Sequence, residues 1–286
     1  MPSLIDIRRR IRTVRNTQQI TKAMKMVSAA KLRRAQDRVL NARPYAQILE
    51  GMLADVAAAS AGDTRLAEHP LLARRPERRV RLILMTADRG LAGAFNSNLI
   101  KGALRFLEEH ADAAVELEAV GRKGRDFFRK RGPAIAGEYV GRTEKASYEE
   151  AARIAKNVSE PFARGDVDAV YVLYNEFKSV VAQKLTVRRV LPLEIAGSER
   201  KIDYIFEQPP EQLAAALLPR YVEVEIYQAL LETAAAQQAA RMTAMDAATS
   251  NASDMIDRLT LYMNRVRQAS ITKELIEVVS GAAAVE

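Results

Sequence analysis

Residues 221–280 read YVEVEIYQALLETAAAQQAARMTAMDAATSNASDMIDRLTLYMNRVRQASITKELIEVVS, and with Arg220 ahead of them they form 61 residues free of Gly and Pro. As one helix the stretch would reach roughly 90 Å at about 1.5 Å rise per residue. Helices of globular proteins seldom exceed about 20 residues, so a helix this long needs a special support. Counting in sevens gives Val224, Leu231, Gln238, Met245, Ala252, Leu259 and Val266. A second row three residues on holds Tyr227, Ala234, Arg241, Ala248, Met255, Tyr262, Ala269 and Ile276. Only Gln238 and Arg241 break the apolar character of these two rows, so they form a heptad seam that another helix must cover.

The other end of the chain offers that helix. Ser3 to Arg43 is also free of Gly and Pro, bounded by Pro2 and Pro44. Leu4, Ile7, Ile11 and Val14 open a seam at steps of three and four; Gln18, Thr21 and Lys25 then turn it polar, while Ile20, Met24, Val27 and Ala30 mark a neighbouring face. The apolar stripe is therefore expected to migrate around the helix. KLRRAQDR (31–38) is polar on nearly every side, and such a helix depends on packing for its stability. Helical character continues, more weakly, from Tyr45 to Ala61. The two ends of the chain are expected to wind together as an antiparallel coiled coil.

Charge divides the same way. Residues 1–43 hold 12 Lys or Arg against Asp6 and Asp37, whereas residues 210–286 hold six basic and ten acidic residues. A basic helix of this kind faces an acidic partner or, as the rival reading, nucleic acid. The chain has no Cys, which excludes disulfides, thiolate metal sites and thiol switches and fits a reducing compartment. No apolar run approaches the about 18 residues that span a bilayer. Arg8, Arg9, Arg10, Arg12 and Arg15 interrupt any secretory signal. The start at Met1 sets the expectation of a bacterial or archaeal-type cytoplasm over an imported protein.

Between the helices the sequence changes period. GDTRLAEHPLLARRPERR reads as a linker. VRLILMTA (80–87) is a buried strand, DRGLAG (88–93) a turn, and FNSNLIKGALRFLEEH (95–110) a helix. AVELEAVG (114–121) alternates like a strand, KGRDFFRKRG is a short helix, and IAGEYV (135–140) is a weaker strand. Residues 147–165 form a helix opened by a capping box of Ser147 and Glu150. DAVYVLYNEF (168–177) and VVAQKLTVRRVLPL (180–193) are strands joined tightly around Lys178 and Ser179. The fold class expected is α+α/β: the long coiled coil of residues 1–60 and 210–286, plus a Rossmann-like α/β domain of about five strands, with an edge hairpin, at 78–206.

Chemistry is not expected of this domain. DRGLAG resembles a phosphate-cradling turn but lacks both GxGxxG and GKS/T, and reads as a sharp strand-to-helix turn. His69 and His110 are read as surface residues, with no partners for a metal. The pairs Glu108–Glu109 and Glu149–Glu150 diverge on their helices. No catalytic residues, cofactor or metal ligands are assigned. A Rossmann-like enzyme would need a nucleotide at Gly90 and Gly93.

ITKELIEVVSGAAA (271–284) resembles the signature of the gamma subunit of F-type ATP synthases, carried here by Ile271, Thr272, Glu274, Glu277, Gly281 and Ala282. IRTVRNTQQITKAMKMVSAAK (11–31), QDRVLNARPYA (36–46), TADRGLAGAFNSNL (86–99), residues 221–252 and RQASITKEL (267–275) are similar to that family too. Ala92 stands where many relatives carry Cys, and the cysteine-bearing insert of chloroplast forms is absent. The resemblance implies a central rotor shaft, one copy inside a ring of three alpha and three beta subunits, its foot on the epsilon subunit and the membrane ring of c subunits. It implies torque transfer that couples proton transport to ATP synthesis and hydrolysis. The chemistry would sit on beta and no nucleic acid would be bound. The location implied is peripheral, on the cytoplasmic side of the bacterial inner membrane. By the same resemblance Met24, Arg241, Arg267, Gln268, Thr272 and Glu274 match beta-subunit contacts, and Tyr204 and Glu207 match the foot near the c ring and epsilon.

Overall fold

The structure, a computed structural model, describes residues 3–59, 69–141, 143–180, 182–194 and 209–283. Two helices dominate: α1 (Leu4–Ala59) and α5 (Pro210–Ala283). Between them lie β1 (Arg79–Met85), α2 (Phe95–Glu109), β2 (Ala114–Val120), α3 (Arg122–Phe128), β3 (Ile135–Tyr139), α4 (Tyr148–Arg164), β4 (Ala169–Phe177) and β5 (Gln183–Leu191). The chain divides into two compact units, Met1–Ser28 with Met242–Glu286, and Ala29–Arg241.

The first unit is helix against helix. α1 begins on a reciprocal cap: Ser3 Oγ accepts from the Asp6 N–H while the Asp6 carboxylate accepts from the Ser3 N–H and hydroxyl. This satisfies orphan donors and places a negative charge at the positive end of the helix. Thr21 meets Thr249, Lys25 meets Asp246, and Ile7 lies with Leu259 and Tyr262. A step forward on one helix is thus a step back on the other, so the pair is antiparallel.

The stripe on α1 does not migrate. Ile7, Thr21 and Ser28 are buried and Gln18 and Lys25 are partly buried in the original phase, whereas Ile20 and Val27 are exposed. The polar seam residues stay inside because α5 answers them, a hydroxyl to Thr21 and a carboxylate to Lys25. Phase is set by the seven-residue repeat, and residue type yields to it where partners exist. On α5 the row Met245, Ala252, Leu259, Val266 is covered as expected. Its companion row below Ala248 is instead Thr249, Ile256, Met263 and Ser270, with Met255, Tyr262 and Ala269 turned outward.

The second unit holds the sheet, in the order β3-β2-β1-β4-β5, with β1 to β4 parallel and β5 antiparallel at one edge. The buried alternation of β1 puts Val80, Leu82 and Leu84 against α2 through Phe95, Leu99, Ala103 and Phe106. Helix α4 contributes Ile154, Ala155, Val158 and Phe162 to the core. Its cap is as expected at Ser147, whose Oγ accepts from the Glu150 N–H, while the Glu150 carboxylate accepts from Arg153. In α1, Leu32, Val39, Leu49, Leu53 and Val56 continue the heptads of this unit.

Pro44 and Pro219 do not end their helices; both lie within them and are exposed. A helix-internal Pro costs about 3 kcal/mol. Burial of Val39 and Leu49 on either side of Pro44, and of Leu218 and Val222 around Pro219, outweighs that cost. The two histidines are not simple surface residues: His69 Nδ1 accepts from the Leu71 N–H, and His110 stacks on Phe106 at 4.0 Å.

Candidate functional site

Rossmann-like sheets take ligands beyond the carboxyl ends of their strands, where the order reverses, here at β1 and β4. In this chain α5 fills that place. Thr233 Oγ1 donates to Met85 Sδ at 3.7 Å and Ala236 joins the core around Leu82 and Leu84. The segment TAAAQQA (233–239) is buried on every side, small residues letting it lie between neighbours.

The DRGLAG turn is a structural knot. Asp88 accepts from the N–H groups of Arg122 (3.1 Å), Gly141 (2.8 Å) and Thr143 (3.3 Å) and from the Thr143 hydroxyl (2.6 Å). Burial pushes its carboxyl up, but these bonds outweigh burial and hold it below the ordinary value. Asn96 Oδ1 holds the Ala87 N–H, and Thr86 Oγ1 holds that of Gly124. The Asp88 carboxylate therefore ties the start of this turn to the start of α3 and to the connection after β3.

A hollow of about 660 Å³ opens among Arg43, Glu50, Arg188, Tyr221, Glu225 and Glu232. Within it Arg188 reaches both oxygens of Glu225 at 3.1 and 3.0 Å, while Glu232 Oε2 is buried without a hydrogen-bond partner among the described residues. Among the described residues no group of three or more His, Asp or Glu is gathered for a metal. No helix among them is long and apolar enough to cross a membrane.

At its far end α5 presents exposed side chains. Arg267, Gln268, Thr272 and Glu274 fall within about two turns of α5 and are exposed. Thr272 Oγ1 donates back to the Gln268 carbonyl at 2.9 Å, and Glu274 accepts from Ser270. Beyond Ser270 every side chain described to Ser280 is exposed, including Val278 at 69% and Ile276 at 60%. Met24 is far from this cluster, half-buried beside Lys25, at the level of Asp246. Arg241 belongs to the second unit and is buried, its guanidinium 3.0 Å from Glu144. Tyr204 and Glu207 lie outside the described residues. Sequence reasoning passed over Ser3–Asp6, although its S-x-x-D spacing is a capping signal, and over Glu144, which no local pattern marks.

Paired terminal helices with exposed apolar and charged faces, carrying an α/β body whose ligand crevice is filled by its own helix, define a stalk-type protein that acts by contact. The ATP synthase family model matches residues 3–285. The chain is 65% identical, over the full length of both, to the ATP synthase gamma chain of Solibacter usitatus and 53% identical to that of Pelotomaculum thermopropionicum. Among solved structures, a chain from the central stalk and c ring of Tetrahymena thermophila mitochondrial ATP synthase aligns over 80% of this chain and 99% of its own, at 26% identity and a TM-score of 0.63. A chain of Euglena gracilis mitochondrial ATP synthase shares the fold over 99% of this chain and 94% of its own (19% identity, TM-score 0.67). This chain belongs to the ATP synthase gamma chain family.

Proposed function

We propose that the chain is the rotor shaft of an F-type ATP synthase, a non-catalytic subunit that carries torque between a proton-driven c ring and the catalytic beta subunits. The observation that carries this reading is the helix pair: a heptad seam with polar positions answered across it, ending at Ser270, beyond which α5 stands with its apolar residues uncovered. Such a surface is made for a surrounding partner. The uncharged run VVSGAAAV (278–285) suits the end that must slip, and charged positions suit the levels where contact must differ between states.

On this reading residues 1–60 and 210–286 are the shaft and residues 78–206 flank it. Arg267, Gln268, Thr272 and Glu274 touch beta subunits at one level and Met24 at another; Arg241 keeps its place in the set with its guanidinium held by Glu144. Tyr204 and Glu207 belong to the foot, at epsilon and the c ring. One copy serves three alpha and three beta subunits on the cytoplasmic face of a bacterial inner membrane.

The test is co-purification with alpha, beta and epsilon, followed by ATP hydrolysis and proton pumping with and without this chain. The shaft reading expects one copy per complex and loss of coupling in its absence. Unchanged activity and coupling without the chain would overturn it.

A further inference from the structure

Glu144 lies in the connection between β3 and α4, and its carboxylate is shared by two helices. Oε2 accepts from Lys31 Nζ of α1 at 2.7 Å; Oε1 accepts from Arg241 Nη1 of α5 at 3.0 Å. The same loop is gripped on both sides. Arg38 of α1 donates Nη1 to the Lys145 carbonyl at 2.7 Å and Nη2 to the Ala146 carbonyl at 2.6 Å. Thr143 donates its N–H and hydroxyl to Asp88. Ala146 is held at φ +40°, a conformation a residue with a Cβ adopts only when its surroundings impose it. Four consecutive residues, Thr143 to Ala146, thus each carry a long-range contact, all within the Ala29–Arg241 unit.

The Arg241 side chain is 8% exposed, and a guanidinium so placed requires an opposing carboxylate. Burial raises the Glu144 carboxyl, but hydrogen bonds from Lys31 and Arg241 bring it below its ordinary value, so it is ionised at neutral pH. An apolar seam is non-directional and by itself lets two helices roll against each other. Charge-assisted hydrogen bonds from a third element are directional and oppose that roll.

We propose that Glu144 is a positioning residue for torque transfer: by bridging Lys31 on α1 and Arg241 on α5 it brackets the two helices against rolling and ties both to the α/β body. The proposal rests on the shaft reading above. Within it, the side chain that sets where Arg241 sits is in the flanking domain, and load on either helix is shared with the other through one carboxylate.

Glu144→Gln keeps the shape and removes the charge; Lys31→Gln removes only the half-exposed arm of the bracket. Each is assembled into the whole complex in inverted vesicles, and protons pumped per ATP hydrolysed are read as the opposing gradient is raised. The expected result is a ratio that falls at least twofold under load for Glu144→Gln and falls less for Lys31→Gln. A role confined to folding would lower the amount assembled and leave the ratio alone. A wild-type ratio for Glu144→Gln at every load overturns the bracket; if that variant does not assemble, the Lys31→Gln ratio decides, a fall supporting it and no change overturning it. Wild-type complex that pumps equally well without this chain would instead defeat the shaft reading.

Discussion

The Thr21 and Thr249 hydroxyl oxygens lie 2.8 Å apart in the seam of the helix pair, each also within reach of a carbonyl of its own helix, Gln18 at 3.0 Å and Met245 at 2.7 Å. Removing one hydroxyl takes away the bond across the seam and leaves the other only the carbonyl of its own helix. Thr249→Val is expected to cost about 1–2 kcal/mol, and Thr21→Val with Thr249→Val less than the sum of the two single changes. Urea unfolding of the full chain measures both; additive costs would contradict the pairing.

Ala252 is buried near the middle of the same seam. Ala252→Pro removes a helix hydrogen bond and sets the ring against the preceding turn, at a cost of about 3 kcal/mol or more. Unlike Pro44 and Pro219, it would face the partner helix and not solvent. Loss of helicity by circular dichroism and failure to assemble are expected; normal assembly would contradict a continuous helix there.

Gly121 sits at φ +90°, and a Cβ on it would lie 2.1 Å from the Thr86 carbonyl oxygen. Gly121→Ala therefore combines a disfavoured conformation with a clash against backbone, and about 2–5 kcal/mol of stability should be lost. The unfolding midpoint of the variant reads this directly.

Two carboxylates of the α/β body should respond to pH in opposite directions. Glu118 is buried; burial raises its carboxyl, Arg81 at 3.4 Å only partly offsets this, and it stays above its ordinary value. Its contribution is present below the unfolded value near 4.5 and is lost as pH rises through the folded one. Glu118→Gln should thus gain on the wild type as pH rises from about 4 towards 7. Asp88 is held below its ordinary 3.8, so its contribution is present above that value and lost as pH falls through the folded one. The deficit of Asp88→Asn should be full at neutral pH and shrink in acid. Unfolding midpoints across pH give both slopes.

The fold was legible because its signals are periodic. Heptads in 221–280 and at Leu4, Ile7, Ile11 and Val14 announced the helix pair, and short apolar runs announced the strands and the edge hairpin. What escaped depends on who faces whom. Gln18, Thr21 and Lys25 look like the end of a stripe until Thr249 and Asp246 are seen opposite them. Pro44 looks like a boundary until Val39 and Leu49 are seen buried on both sides. Glu144 is an ordinary loop residue in sequence; only the fold brings Lys31 and Arg241 to it. Exposed Gln268 and Thr272 were marked by resemblance alone, since no pattern separates a contact from a solvated side chain.

The antiparallel match of Thr21 with Thr249 and of Lys25 with Asp246 constrains how such a gene can change length. One codon gained in either helix would throw every later pair out of step and swing the stripe by about 100°. A gain of seven at once would restore the face of the stripe but not the pairs; only a compensating change in the opposite helix would restore both. Length variation in this unit should therefore gather beyond Ser270, where α5 has nothing left to match.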